Sequence, residues 1–278
     1  MSEVIRPAED HSGSQIARLV ADMGEPHDRL SFDELMVQYN FQRTSCWQRT
    51  FVRLLADEAD RARERSGEVH ALDIGCGHGI GRRPQWTAAV RPHFDRLTGV
   101  EPDPSIRPNT TVLDSFQNAT LESADLPASH FDIAYSFMVV EHVADPAAFL
   151  QAIYRALKPG GVHFFATVNG NHYFAKIAKW MRRTGLEDAV LRLVRRQEET
   201  EAYHYPVEYR MNCPQQLESL AEAHGFDRPE FVFIEERGPE PYFPGPLKPV
   251  LKALMLKRRW IRRPDRLLTM YCRMQKCG

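Results

Sequence analysis

In the stretch "ALDIGCGHGIG", Asp73 stands two residues before Gly75, and glycine returns at Gly77 and Gly79. A second acid, Glu101, closes "LTGVE" 28 residues after Asp73. Glycine takes backbone angles closed to other residues and lets a ligand touch main chain. The loop therefore suits a nucleoside cofactor. A dinucleotide fingerprint needs G-x-G-x-x-G. Counted from Gly75 the third position is Ile80, and counted from Gly77 it is Arg82, so the spacing fails. The Gly-Lys-Ser/Thr of a phosphate-binding P-loop is also missing. An acid beside the loop, Asp73, repels a pyrophosphate and suits a cation. Cys76, inside the loop, reads as a small packing residue rather than a nucleophile.

These residues need a scaffold. "EVHALDI", "DRLTGVEPD", "FDIAYSFMVV", "VHFFATVN", "EFVFIEE" and "LLTMYCRMQ" read as strands. "DPAAFLQAIYRALKPGG" reads as a helix entered at Asp145-Pro146 and stopped by Pro159-Gly160-Gly161. "CPQQLESLAEAHGF" reads as another, with Pro214 in its first turn. Alternating strands and helices imply an α/β fold with a mostly parallel sheet covered on both faces. Residues 31–65 carry helical spacing, read as one or two helices. The expected division is an N-terminal helical extension or lid over 1–65 and a main domain over 66–278, with insertions at 170–212 and 238–264. In such sheets the ligand crevice lies outside the carboxyl ends of the strands.

"LDIGCGHGIG", Glu101 and the run "FQNATLESADLPASHFDIAYSFMVVEHVADPAAFLQAIYRALKPGGVHFFATVN" together resemble class I S-adenosylmethionine-dependent methyltransferases of the quinone, sugar and natural-product type. The resemblance spans about 65–235 and a closing strand near 267–275. It implies a Rossmann-like, seven-stranded sheet and S-adenosyl-L-methionine as cofactor. Carried over by residue, Gly75, Cys76 and Gly77 pass under the methionine part, and Asp73 orients the loop and the amino group. Glu101 binds the ribose, with Pro102 and Asp103 flanking the adenine. Glu122 accepts from the adenine amine, with Asp125 a second candidate, and the Ser123 backbone meets the ring. Ser136 and Phe137 receive the methionyl ammonium through their carbonyls. The proline-rich "PDPSIRPNTT" departs from the helix the family has there. Pro84 falls at the start of the next helix, where it fits only in the first turn.

The chemistry this implies is methyl transfer to a small molecule, most simply to a hydroxyl aided by a histidine base. His142 of "VVEHV", His172 of "VNGNHYF" and His204 of "EAYHYPVEYRMN" are the candidates. Related quinone-type enzymes bind a divalent metal through a Glu-His pair like Glu141-His142 and a further acid three residues before the Glu. Met138 holds that place, so no metal is expected. An RNA methyltransferase, N- or C-methylation, and a non-catalytic cofactor-binding protein are the competing readings. "SFMVVEHV" lacks the Asn/Asp-Pro-Pro-Tyr motif of base methylation.

Bulk composition sets the remaining bounds. Charged residues make up 26% of the 278, and formal net charge is −1, which argues against a nucleic-acid partner. Five cysteines without CxxC spacing suggest neither a disulfide framework nor a zinc site. No signal-peptide pattern or apolar span is present, so a cytoplasmic protein is expected, as monomer or homodimer. Basic charge is segregated: residues 176–196 carry +5 and 238–278 carry +8, leaving the remainder at −14. That distribution suits an anionic substrate, or peripheral contact with an acidic membrane or carrier. "KPVLKALMLKRRWIRR" has the pattern of an amphipathic basic helix.

Overall fold

A computed structural model describes residues 29–41, 47–106, 111–173, 175–177, 206–235 and 248–278. The described strands form one eight-stranded sheet. They are β1 (Asn40–Phe41), β2 (His70–Ile74), β3 (Arg96–Val100), β4 (Ser115–Gln117), β5 (Phe131–Phe137), β6 (Leu157–Val168), β7 (Glu230–Glu235) and β8 (Thr269–Gln275). The order is β1-β7-β8-β6-β5-β2-β3-β4. Every pairing is parallel except those of β8, which runs antiparallel to β6 and β7. From β2 the chain winds outward through β3 and β4, then returns to place β5 on the other side of β2. That reversal opens a crevice at the carboxyl ends of β2 and β5.

The helices are α1 (Phe32–Met36), α2 (Trp47–Ser66), α3 (Pro84–Val90), α4 (Pro146–Ala156), α5 (Pro214–Ala223) and α6 (Lys248–Ile261). The central strands are buried on both sides, which is why they read as apolar runs rather than alternations. Within β6, Val162, Phe164 and Ala166 enter one core with Phe51, Leu54 and Leu55 of α2. Phe165 faces the other core, with Leu150 and Ile153 of α4 and Leu217 of α5. Pro84 is the first residue of α3, the position where a missing N–H costs nothing. Asp145 caps α4 by accepting from Ala147 and Ala148 N–H, both at 3.1 Å.

Three elements differ from the sequence expectation. The helical stretch 31–65 is broken by β1, where Asn40 Nδ2 donates to Leu35 O at 2.9 Å and Phe233 O at 3.2 Å. β4 adds an eighth strand to the expected seven once β1 is counted, paired to β3 through Thr98, Gly99 and Val100. "LKPGG" belongs to β6 rather than to a helix stop. Leu157 already pairs with Phe131, and the ladder resumes at Ile133 and Val162 after a shift that Gly160 permits with φ +75°. The basic helix expected near 250 is α6.

The N-terminal helix is fastened to the sheet by buried charge. Glu58 of α2, with a side chain only 2% exposed, meets Arg61 Nη1 at 2.9 Å and Arg273 Nε of β8 at 3.0 Å. Arg273 Nη1 also donates to Glu230 of β7 at 2.8 Å. Removing one partner of such a group leaves the others uncompensated in low dielectric. Glu58→Ala is expected to lower the unfolding free energy by about 3 kcal/mol, measured by chemical denaturation, while Glu230→Ala, at the more exposed end, lowers it far less.

Candidate active site

β2 ends at Ile74 and the chain turns into the glycine loop. Gly75, Gly77 and Gly79 have φ of +69°, +37° and +90°. The left-handed angle alone disfavours a side chain, and the surroundings close the space as well. A Cβ on Gly75 would lie 2.6 Å from Val139 Cγ2, and one on Gly79 would lie 2.9 Å from Thr87 Oγ1. The Gly75 and Cys76 N–H groups donate to Val100 O at 2.8 and 3.1 Å, which pins the loop to the end of β3. Cys76 is buried against Gly99. Burial, then Asp73 and Glu101, push its thiol far up, so it stays protonated and unreactive.

Two buried carboxylates face this loop. Glu101 Oε2 accepts from Gly77 N–H at 3.0 Å, and Oε1 accepts from Asp103 N–H at 3.1 Å. Burial raises its affinity for a proton despite those bonds. Asp73 is 4% exposed, and its Oδ2 has no hydrogen-bond partner. Burial, with a smaller push from Glu101 and an opposing pull from Tyr135, raises its pKa to about 7. A buried carboxylate oxygen left unpaired is costly, and a cation is the partner that relieves it. Beside it lies a small open cleft whose lining includes Asp73, Cys76, Gly77, His78 and Gly79. A bare main-chain cradle next to an orphaned acid fits a cationic nucleoside.

Further along the edge, β4 delivers two residues that the sequence reading passed over. Glu101 N–H donates to Gln117 O at 3.1 Å, and Asn118 Nδ2 donates to Glu101 O at 2.7 Å. Gln117 also exchanges side-chain bonds of 2.8 and 2.9 Å with the Asp125 main chain. At the end of β5, Ser136 is fully buried with Oγ unpartnered. Phe137 stacks on Trp47 at 4.7 Å and meets Phe51 edge-on at 5.0 Å. Met138 then takes φ +57°, with its N–H bonded to Ala166 O at 2.9 Å. A non-glycine residue in that region is held there by its surroundings.

Past Met138 a short 3₁₀ turn, Val140–His142, carries a second polar group. Glu141 is 2% exposed and accepts from Thr167 Oγ1 at 2.9 Å. Asn212 Nδ2 donates to the same hydroxyl oxygen at 2.6 Å. Burial pushes the Glu141 pKa to about 7. Glu141 O accepts the N–H of Glu208 and Tyr209, and His142 Nδ1 lies 3.1 Å from Pro206 O. A carbonyl only accepts, so that contact puts a proton on Nδ1; in the neutral ring the lone pair is then on Nε2.

Residues 31–228 match a family described as a methyltransferase domain. The chain belongs to the methyltransferase domain family. A ubiquinone biosynthesis O-methyltransferase of Ruegeria pomeroyi is 34% identical over 124 residues, 43% of this chain and 50% of that protein. One from Methylobacterium sp. is 35% identical over 105 residues, 35% of this chain and 40% of that protein. The chain thus spans half or less of these relatives' length. Among solved structures, an S-adenosylmethionine-dependent methyltransferase of Archaeoglobus fulgidus is 16% identical with TM-score 0.49, covering 81% of this chain and 94% of that one. A Haemonchus contortus phosphoethanolamine N-methyltransferase bound to S-adenosyl-L-methionine is also 16% identical, with TM-score 0.45, covering 80% of this chain and 53% of that one.

Within this methyltransferase the expected cofactor residues separate into two groups. Asp73, Gly75, Cys76, Gly77, Gly79, Glu101 and Asp103 are brought together around the loop, with Pro102 between the last two. Ser136 and Phe137 end the strand beside it. Glu122 and Ser123 lie on an exposed turn, where Ser123 Oγ pairs with Thr120 Oγ1 at 2.9 Å and no described bond ties either to Glu101. Gln117 and Asn118 hold the place beside Glu101 instead. Of the histidines, His172 does not open over the site. It is fully buried, its Nε2 lies 3.6 Å from Glu235 Oε2, and its ring packs on Tyr173. His204 and most of the basic 176–196 segment lie outside the described residues. His142 is the described candidate that stands at the carboxyl edge in a half-buried position. Among the described residues no group of three His, Cys, Asp or Glu side chains is arranged to hold a metal, and no helix is long and apolar enough to cross a membrane.

Two outcomes follow for cofactor binding measured by calorimetry. Asp73→Asn and Glu101→Ala are each expected to weaken S-adenosylmethionine binding by roughly tenfold to a hundredfold, the worth of a charge-assisted bond. The cationic cofactor favours ionised Asp73, so wild-type affinity rises with pH up to about 7 and then levels, with proton release below that point. In Asp73→Asn the rise disappears. In the cofactor-free protein the sign is opposite. Folded Asp73 binds its proton more tightly than an unfolded aspartate, so its contribution to stability is present at low pH and is lost as pH rises toward about 7.

Proposed function

We propose that this methyltransferase transfers a methyl group to a hydroxyl oxygen of a small aromatic or quinone-type molecule. The observation that carries the reading is the match over 124 residues to proteins named as ubiquinone biosynthesis O-methyltransferases. The arrangement of the site supports it. Asp73, Glu101 and Asn118 hold the cofactor side, and the Ser136 and Phe137 carbonyls receive its ammonium group. When bound, S-adenosylmethionine supplies a methyl group already activated on a sulfonium. The chain has to orient an acceptor and exclude water. The Trp47–Phe137 stack closes the α2 side of the β5 end, where the first turn of α2 also reaches Gly81 through Gln48. On this reading α1 and α2 act as a fixed lid.

His142 is the proposed base. With the proton on Nδ1 held by Pro206 O, Nε2 is the nitrogen that takes the acceptor's hydroxyl proton. Glu141 fixes the turn from beneath through Thr167. The basic balance of the two insertions supports an acceptor that carries negative charge.

The test supplies methyl-labelled S-adenosylmethionine with a panel of ortho-dihydroxy aromatics, monophenols and amines, and locates the label by mass spectrometry. Label on oxygen is expected. His142→Ala is expected to lower kcat by about 10²- to 10⁴-fold and to keep cofactor affinity. Label found only on nitrogen would overturn the oxygen assignment. Full turnover in His142→Ala would remove the base.

A further inference from the structure

The exposed apolar face of α6 is not used by the site. Residues 248–263 contain seven Lys or Arg and no acid. On the helix, Ala253, Leu256 and Trp260 follow the i, i+3, i+7 spacing that places side chains on one face. All three are exposed, Leu256 at 59% and Trp260 at 89%. Ile261, at the flank, is 49% exposed. Lys252 and Lys257 are exposed on either side of the stripe. Among the described side chains of this helix only Leu254 is partly covered. A fourteen-residue helix is marginal in water unless its apolar face is covered.

We propose that α6 docks the enzyme on an anionic lipid bilayer. An apolar stripe led by tryptophan and bordered by lysines is the pattern of an interfacial helix, with the ring at headgroup depth and the lysine stems extending to the phosphates. Charge complementarity selects the lipid. Outside its two basic insertions the chain carries −14, so an anionic surface repels the rest and attracts this region. A nucleic acid would use the cations and has no use for exposed Leu256, Trp260 and Ile261.

The end of the helix is held to the active-site edge of the sheet. Arg262 lies over the Tyr39 ring at 5.7 Å. Asn169, just past β6, donates to Asp265 O at 2.9 Å and Leu267 O at 2.8 Å. Arg263 is paired with Asp265 at 2.8 Å. Docking through α6 therefore presents the carboxyl edge, and the methyl site with it, on the side of the bilayer. The docking inference stands without the choice of methyl acceptor.

The test uses the full chain with vesicles of phosphatidylcholine alone and of phosphatidylcholine mixed with phosphatidylglycerol, read by flotation. The protein floats with the mixed vesicles, stays behind with the neutral ones, and is released by salt. Replacing both Lys252→Gln and Lys257→Gln weakens flotation by roughly thirtyfold, at the usual worth of a lysine near an anionic surface. Trp260→Ala also weakens it. The blue shift of indole emission on mixed vesicles, present in the wild type, is absent in Trp260→Phe. Circular dichroism and cofactor affinity stay unchanged in these variants. Equal binding to both vesicles, or flotation unaffected by the variants, overturns the proposal. Retention on duplex RNA without flotation, or Trp260-dependent dimerisation without flotation, overturns it too.

Discussion

Glu101 makes the rest of the site possible by accepting the N–H of Gly77. One carboxylate oxygen holds the loop, and the other holds Asp103 N–H, so the acid is fixed by main chain on both sides. The carbonyl of the same residue is held by Asn118 and its N–H by Gln117. Glu101 therefore joins the glycine loop after β2, the turn after β3 and the end of β4. The bare cradle follows from this closeness. A Cβ on Gly77 would stand 3.3 Å from Glu101 Oε2, and glycine is what keeps the bond short.

The other constraint is the end of β5. Phe137 points to the α2 side, where Trp47 and Phe51 lock its ring. The next residue, Met138, bonds to Ala166 and turns the chain at positive φ. That turn frees the strand to enter the 140–142 segment, where Glu141 is drawn inward to Thr167 and His142 is left toward the rim. A buried acid and a rim histidine side by side are the result of one 3₁₀ turn with alternate burial. Asn212 closes the arrangement from the returning chain and ties residues 206–212 to the same hydroxyl.

The glycine spacing, the acids at Asp73 and Glu101 and the alternation of strands and helices were all legible, because each is a local pattern with a local cause. What could not be read depends on register between distant segments. β1 is two residues inside an aromatic stretch with helical spacing, and it exists because Asn40 bonds to Phe233. β4 is three residues long and only half buried, so no periodicity marks it. Its pairing of Gln117 with Val100 is what brings Asn118 to Glu101. Glu122, matched through its spacing to Pro127, lies on an exposed bend. His172 looked like a histidine opening from a strand end. Glu235, at the end of β7 and 63 residues away in sequence, gives it a buried partner instead.

The energetics of Asp73 explain why the fold tolerates such a site. A rise from 3.8 to about 7 means that burial first, and Glu101 beside it, disfavour the charged form. Left empty at neutral pH, the pocket holds that cost as a proton partly retained or a charge poorly solvated. On the proposed function, a sulfonium and an ammonium bound nearby offset it and favour cofactor binding. A negative neighbour such as a pyrophosphate would deepen the penalty instead. Only Asp73 acts this way; an acid in the place of Glu101 also serves ribose in dinucleotide sites. On the proposed function, the unpaired oxygen of Asp73 contributes to selecting a cationic nucleoside as the glycines do.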